Sequence, residues 1–295
     1  MAWRSALNPQ TLPDGRLCLE DGPISLVIGI EGPPNAVRAG QHAAGLRMHG
    51  LLAALCEELP DLRRPLGDTM PSFRHPVARR MAEACWPHRL DHITPMAAVA
   101  GAVAEYVLAG IAEQPGVQAA HVNNGGDIAV HLTGRATLRV GLCGNLADGR
   151  PDGLATLRAE DGVGGIVTSG WAGRSFSRGI ADAVTVLAGR AADADAAATI
   201  IANAVDAQHP AIFRRPANTL DPDSDLGALE VVVEVRALPR MLVQLALERG
   251  ARVAERLAAR GTIIAALLRL QGESVSVGYM NVTPLTLAPG DPALR

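Results

Sequence analysis

Apolar and polar residues alternate early in the chain, through Leu17-Cys-Leu-Glu20 and again in the run Ile24-Ser-Leu-Val-Ile-Gly-Ile30, with the turn chemistry of Asp21-Gly22-Pro23 between them. The pattern predicts a hairpin that Gly32-Pro33-Pro34 ends. Over residues 36–59 the period changes. Leu46, Leu51, Leu52 and Leu55 recur at helical spacing and Pro60 stops the run. Residues 60–76 read as a long loop. Thr94-Pro95 then supplies a capping hydroxyl and a proline suited to the first helical position. The helix it opens, over residues 96–113, is rich in Ala and Gly, so a second backbone or a flat ligand can approach it closely.

A run of β-branched segments follows, predicting strands over residues 117–122, 127–132, 138–143, 154–158, 165–168 and 183–188. An Ala-rich helix is expected over 191–205, with its stop at Gln208-His209-Pro210. A strand over 228–235 leads into a helix over 240–259 that Gly261 ends, and 262–270 with 274–279 form a closing hairpin around Gly272. Arg249, Arg252, Arg256 and Arg260 share one side of that last helix, but Glu248 and Glu255 interleave them, as on an ordinary solvated face. No internal period of 20–50 residues repeats. The expected fold is α+β, a mostly antiparallel sheet with packed helices.

Length permits one large domain or two of ordinary size. No Ser/Gly-rich, Pro-rich or single-charge linker divides the 295 residues, so 1–295 is read as a single compact domain. A net charge of −3 without a basic block argues against nucleic acid as a partner. The apolar run from Met96 to Ala104 stops at Glu105, short of the roughly 20 residues that span a bilayer, and the N-terminus lacks the pattern of a signal peptide. No membrane partner and a cytoplasmic location are therefore expected. Cys18, Cys56, Cys85 and Cys143 form no zinc or redox spacing, and buried thiols are expected. All 27 basic residues are arginine. Without lysine the chain cannot form a lysine Schiff base, hold pyridoxal phosphate through one, or carry a Walker-type phosphate lysine.

Three segments carry candidate chemistry. In Asn123-Asn124-Gly125-Gly126-Asp127 paired glycines permit positive φ and close backbone approach beside two amides and a carboxylate, although the same residues make a good hairpin turn. Thr168-Ser169-Gly170-Trp171-Ala-Gly-Arg174-Ser175-Phe-Ser177-Arg178-Gly179 gathers hydroxyls and guanidinium groups of the kind that hold phosphate oxygens, or that populate any solvent loop. Asp195-Ala-Ala-Ala-Thr199 sets a carboxylate and a hydroxyl one helical turn apart. There both could meet magnesium, or the Asp could favour a helix dipole and the Thr bond its own backbone.

In order and content these segments resemble the ApbE-like superfamily, whose best known members are FAD:protein FMN transferases. In that superfamily Asn-x-Gly-Gly-Asp is followed by Thr-Ser-Gly, by a Val-Thr-Val strand, and by Ala-Asp-Ala-x-x-Thr on a helix. Here these are Asn123 to Asp127, Thr168 to Gly170, Val184-Thr185-Val186 and Ala194 to Thr199. The resemblance implies an ApbE-like domain that binds FAD near Asn124, Gly125, Gly126, Asp127, Thr168, Ser169 and Gly170. It further implies a looser contribution from Thr94 and Met96, and a magnesium ion (Mg2+) on Asp195 and Thr199.

Between Ser-Gly and Val-Thr-Val the transferases carry His-Ile-x-Asp-Pro-x-Thr-Gly, whereas the interval here, Trp171 through Ala183, contains no histidine; Asp182, Ser175 and Ser177 are its polar candidates. This short form resembles a branch of the superfamily without an assigned reaction. Three functions stay open: FMN transfer or FAD hydrolysis, a non-catalytic flavin carrier or regulatory protein, and an enzyme of another phosphorylated cofactor such as a pterin. The catalytic residues are unknown from sequence, and an acceptor protein and homo-oligomer formation are left open. Isolated histidines (His42, His49, His75, His121 and His131) read as structural, while His88 and His92 precede the helix at Thr94 and could reach a ligand.

Overall fold

The computed structural model describes residues 8–146 and 150–284. Its strands are β1 (Asn8–Thr11), β2 (Leu17–Asp21), β3 (Ile24–Glu31), β4 (Ala119–Asn124), β5 (Asp127–Leu132), β6 (Thr137–Cys143), β7 (Pro151–Arg158), β8 (Gly165–Ser169), β9 (Ala183–Ala188), β10 (Ile212–Pro216), β11 (Glu230–Val235), β12 (Ala265–Leu270), β13 (Glu273–Val277) and β14 (Val282–Pro284). Its helices are α1 (Pro34–Met48), α2 (Leu51–Leu62), α3 (Pro76–Cys85), α4 (Val99–Ala112), α5 (Ala191–Ala204) and α6 (Arg240–Ala259). The fold is α+β, as expected. Contacts group the chain into two units. The first runs to Thr137 and adds Arg158–Val167 and Ala188–Ala196; the second holds Leu138–Leu157, Thr168–Leu187 and the residues from Ala197 onward.

In the first unit the strand order is β1-β2-β3-β4-β5-β8, and the pairings are antiparallel. Period-two burial fixes the face of the first hairpin: Leu17 and Leu19 of β2 and Ile24, Leu26 and Ile28 of β3 point inward. Helix α4 packs on β4 and β5, and α1 and α3 pack on α4. With the 3₁₀ turn Pro95–Ala98 before it, α4 forms an 18-residue stretch of mean hydropathy 1.6, long and apolar enough by composition alone to cross a membrane. More than half of that stretch is buried by the protein, which accounts for its apolar character as a core helix.

Several expectations change here. The helix predicted over 36–59 is two helices, because Gly50 takes a left-handed φ of 72° and breaks the run. Leu46, counted in the apolar period, is 65% exposed, and α1 instead buries Ala36, Gly40, Ala44 and Met48. Small residues let it lie close to its neighbours. Pro60 falls inside the last turn of α2, so the loop begins only after Leu62. That loop is held by the Glu58 carboxylate, which accepts the N–H groups of Arg74 (2.6 Å) and His75 (2.9 Å). Helix α3, for which the sequence pattern predicts no element, buries Val77, Ala78, Met81, Ala82 and Cys85 at helical spacing. Its apolar stripe is short and interrupted by two arginines, which hid it.

In the second unit β9, β12 and β13 form an antiparallel ladder backed by α6. A ribbon of β10 with β11 and a sheet ordered β14-β7-β6 complete it. Strands β1, β10 and β14 escape periodicity because each is short and exists through its partner. On α6 the inward face is Val243, Ala246, Leu247, Gly250, Ala251, Ala254 and Leu257, while Arg249, Arg252, Arg256 and Arg260 are exposed as a solvated face. None of the four cysteines forms a disulfide among the described residues. Cys85 is buried as expected, Cys18 and Cys143 are half-buried, and Cys56 is exposed on α2, contrary to the expectation of buried thiols.

Candidate functional site

The first unit assembles a carboxylate group at the start of α4. That helix begins after Ala98, which has no side chain able to cap it. The orphan N–H groups of its first turn are met from elsewhere: Asp195 Oδ2 accepts the Gly101 N–H at 2.9 Å, and the Ala100 N–H also donates to this carboxylate. Asp195 thus caps α4 from α5. Gly101 is required for this approach, because a Cβ there would lie 2.4 Å from the Ala191 carbonyl oxygen at the start of α5. Gly165 packs against Ala191 in the same way. At Gly101, the small residues of α4 therefore admit a second backbone.

The hairpin of β4 and β5 supplies the second carboxylate. Gly125 and Gly126 adopt φ of 68° and 113° in a two-residue turn, and Asn124 pairs with Asp127 across it. Asn123 Oδ1 accepts the Gly126 N–H at 2.8 Å, and Asn124 Nδ2 donates to the Ala100 carbonyl at 3.2 Å. Both amides thus serve the turn and its junction with α4. Burial first, and the neighbouring Asp127 charge second, push the Asp195 carboxyl well above the usual carboxylate range, with the Gly101 and Ala100 N–H groups pulling it part of the way back. Asp195 keeps some open surface although protein surrounds it on most sides. Arg80 braces the same region, reaching Glu105 on α4 (3.0 Å) and Asp193 on α5 (2.7 Å), while Glu105 accepts the Ala192 N–H at 3.3 Å. Thr94 is buried at the start of the 3₁₀ turn and Met96 is half-buried within it.

In the second unit Thr168 and Ser169 end β8 and Gly170 follows. The Thr168 hydroxyl meets that of buried Thr185, on the Val-Thr-Val strand, at 2.8 Å. The half-buried Ser169 hydroxyl has no side-chain hydrogen bond among the described residues. Trp171 Nε1 donates to Asp182 Oδ1 at 3.1 Å, and Asp182 Oδ2 accepts the Gln271 N–H at 2.5 Å. Asp182 was a polar candidate from sequence; Trp171 as its partner and Gln271 were not foreseen, since a contact across 89 residues leaves no local signal. Thr199 is half-buried on α5, one turn beyond Asp195. Ser177 and Gly179 close a local turn, and the Arg178 N–H donates to Asn203.

His88 is buried and His92 half-buried. His75 caps α3 through Nδ1, and His121 lies over Gly29, where a Cβ would come within 2.2 Å of its ring. Among the described residues no group of three or more His, Cys, Asp or Glu side chains could hold a metal ion.

An α+β protein with a paired-carboxylate group on two helices and a hairpin, and a hydroxyl-bearing turn after a strand, is the class that fold and site define. A family model described as "AbpE bacteria" matches residues 9–276, and the chain belongs to that family. This agrees with the ApbE-like resemblance of its motifs. Among curated relatives, UPF0280 protein MK0206 of Methanopyrus kandleri is 40% identical over 161 residues, 54% of this chain. The UPF0280 protein of Methanothrix thermoacetophila is 36% identical over 155 residues, 52% of this chain. The chain spans 62% of the length of each of these relatives. The apo flavinyl transferase ApbE of Pseudomonas stutzeri aligns over 93% of this chain and 94% of its own, at 14% identity and a TM-score of 0.43.

Proposed function

We propose that the chain binds a flavin nucleotide, FAD, together with magnesium. As the resemblance implies, Asp195 and Thr199 would hold the ion, and Asn124, Gly125, Gly126, Asp127, Thr168, Ser169 and Gly170 would serve the nucleotide, with Thr94 and Met96 contributing from the start of the α4 segment. The observation that carries the reading is the Asp195–Asp127 pair. Burial first, and the Asp127 charge second, drive Asp195 toward its neutral form, and a bound cation would offset both. A donor set of one or two carboxylates and a hydroxyl suits magnesium, which fills its coordination with water and phosphate oxygens, and is too poor for structural zinc. When bound, such an ion supplies charge neutralisation at phosphate oxygens. The chain's own part is to keep Asp195 aimed through the Gly101 and Ala100 N–H groups.

Two outcomes of binding are compatible with these residues: FMN transfer or FAD hydrolysis, and plain carriage of the cofactor by a non-catalytic protein. The second is favoured by one observation, that the interval from Trp171 to Ala183 contains no histidine to move a proton. Titration with FAD, with and without magnesium, tests binding. Tight binding that depends on magnesium is expected, and no affinity under either condition would remove the cofactor assignment. Prolonged incubation then separates the outcomes, since a carrier returns FAD intact while an enzyme releases FMN, AMP or a flavinylated acceptor.

A further inference from the structure

Trp171 follows Thr168-Ser169-Gly170 directly, and its position is set before any ligand arrives. Its N–H donates to the Ala181 carbonyl at 3.0 Å and its indole N–H to Asp182 Oδ1 at 3.1 Å. Gly170 lets the turn close down, since a Cβ there would come within 2.5 Å of the Asp182 carbonyl oxygen. Asp182 is fixed in turn by Gln271, which takes a left-handed φ of 46°. Gln271 is locked by two more hydrogen bonds, donating from Nε2 to the Arg236 carbonyl and accepting the Leu238 N–H, both at 2.9 Å. That φ belongs to the two-residue turn Gln271-Gly272 joining β12 to β13, which places the Gln271 N–H at the end of the hairpin.

The indole so held is half-buried, and among the described residues its ring has no aromatic or guanidinium partner. Trp86 differs, because the Arg89 guanidinium covers its ring at 4.6 Å. Three residues beyond Trp171, Arg174 is exposed and makes no ion pair among the described residues. A pinned, half-exposed indole with an exposed guanidinium three residues on in the same loop suits a flat heterocycle bearing phosphate, because every such ring has a π-face to stack and its phosphate needs a positive partner.

We propose that Trp171 is a stacking platform for the nitrogen-heterocyclic ring of a phosphorylated cofactor, with Asp182 and Gln271 as positioning residues that orient the indole. The ligand class rests on the flavin-nucleotide function proposed above; the platform itself rests on the second unit's geometry. The test compares wild type with Trp171→Ala and Trp171→Phe by equilibrium dialysis against FAD, FMN, AMP and pyrophosphate in the presence of magnesium. Trp171→Ala is expected to weaken FAD about ten- to a hundredfold while leaving pyrophosphate unchanged, and Trp171→Phe to restore most of the affinity. Loss on FMN assigns the flavin ring to the platform, and loss on AMP assigns the adenine. Equal affinities of wild type and Trp171→Ala for every ring-bearing ligand, or an equal loss for pyrophosphate, overturn the platform. Failure of wild type itself to bind FAD, FMN or AMP instead overturns the flavin-nucleotide function, and the platform with it. Should Trp171→Ala not fold, quenching of tryptophan emission by FMN decides: wild type is quenched and Trp171→Phe much less, whereas equal quenching overturns the platform.

Discussion

Asp195 has two duties that one substitution pair can separate. As the trans cap of α4 it needs only an acceptor oxygen, which asparagine also has; as a metal ligand it needs its charge. Asp195→Asn should therefore keep a near wild-type denaturation midpoint and lose magnesium-dependent FAD binding. Asp195→Ala should lose both, with a stability cost of about 1–2 kcal/mol for the missing cap. Glu58 offers a second residue-scale test. Burial works against its ionisation, but the N–H donors of Arg74 and His75 and the positive charge near them outweigh it and leave its carboxyl below the usual range. With a folded value below the unfolded one, its contribution is present above about pH 4.3 and is lost as pH falls through the folded value. Glu58→Gln should cost about 1 kcal/mol at neutral pH, and urea titrations should show the gap from wild type closing in acid.

Among the elements, the junction of α4 and α5 is the most constrained. Gly101 and Gly165 both lie against Ala191, so the start of α5 is seated backbone to backbone, and its first turns carry Asp193 to Arg80 and Asp195 to the α4 terminus. Gly101→Ala would gain about 1 kcal/mol of helix propensity but forces a methyl against the Ala191 carbonyl, and net destabilisation of about 1–3 kcal/mol is expected. Gly45 on α1 is the control, because a Cβ there meets no atom within 4 Å. Gly45→Ala should stabilise by about 0.5–1 kcal/mol. Thermal melts of the pair check both signs. The same junction shows why the residues of Asn123 to Asp127 could be located in sequence yet not assigned: the turn chemistry is local, but the Asn124 contact to Ala100 crosses 24 residues.

For the whole molecule, the missing lysine has a direct consequence. Charge and solubility are carried by 27 arginines, which stay protonated and do not act as amine nucleophiles. An amine-reactive ester should add at most one label per chain, at the α-amino group, and intact mass spectrometry after labelling checks it. A second adduct on a side-chain amine would contradict the exclusion of lysine chemistry. The same composition leaves charged anchoring to guanidinium groups: Arg80 bridges Glu105 and Asp193 in the first unit, and Arg269 meets both oxygens of Asp152 at 2.5 Å in the second.

Local interactions were legible in the sequence. The hairpin at Gly22-Pro23, the Asn-Gly-Gly-Asp turn, the paired strands β12 and β13 and the solvated arginines of α6 follow from turn chemistry and period, which act over a few residues. So did the order of motifs that resembles the family. Tertiary structure alone decided what those motifs do: that Asp195 caps a helix starting 96 residues before it, that Asp127 lies near enough to raise its carboxyl, and that Asp182 joins Trp171 to Gln271. Such contacts depend on which backbones can approach, as at Gly101 and Gly170. No window of sequence contains both partners, so their geometry emerges only once the core has packed.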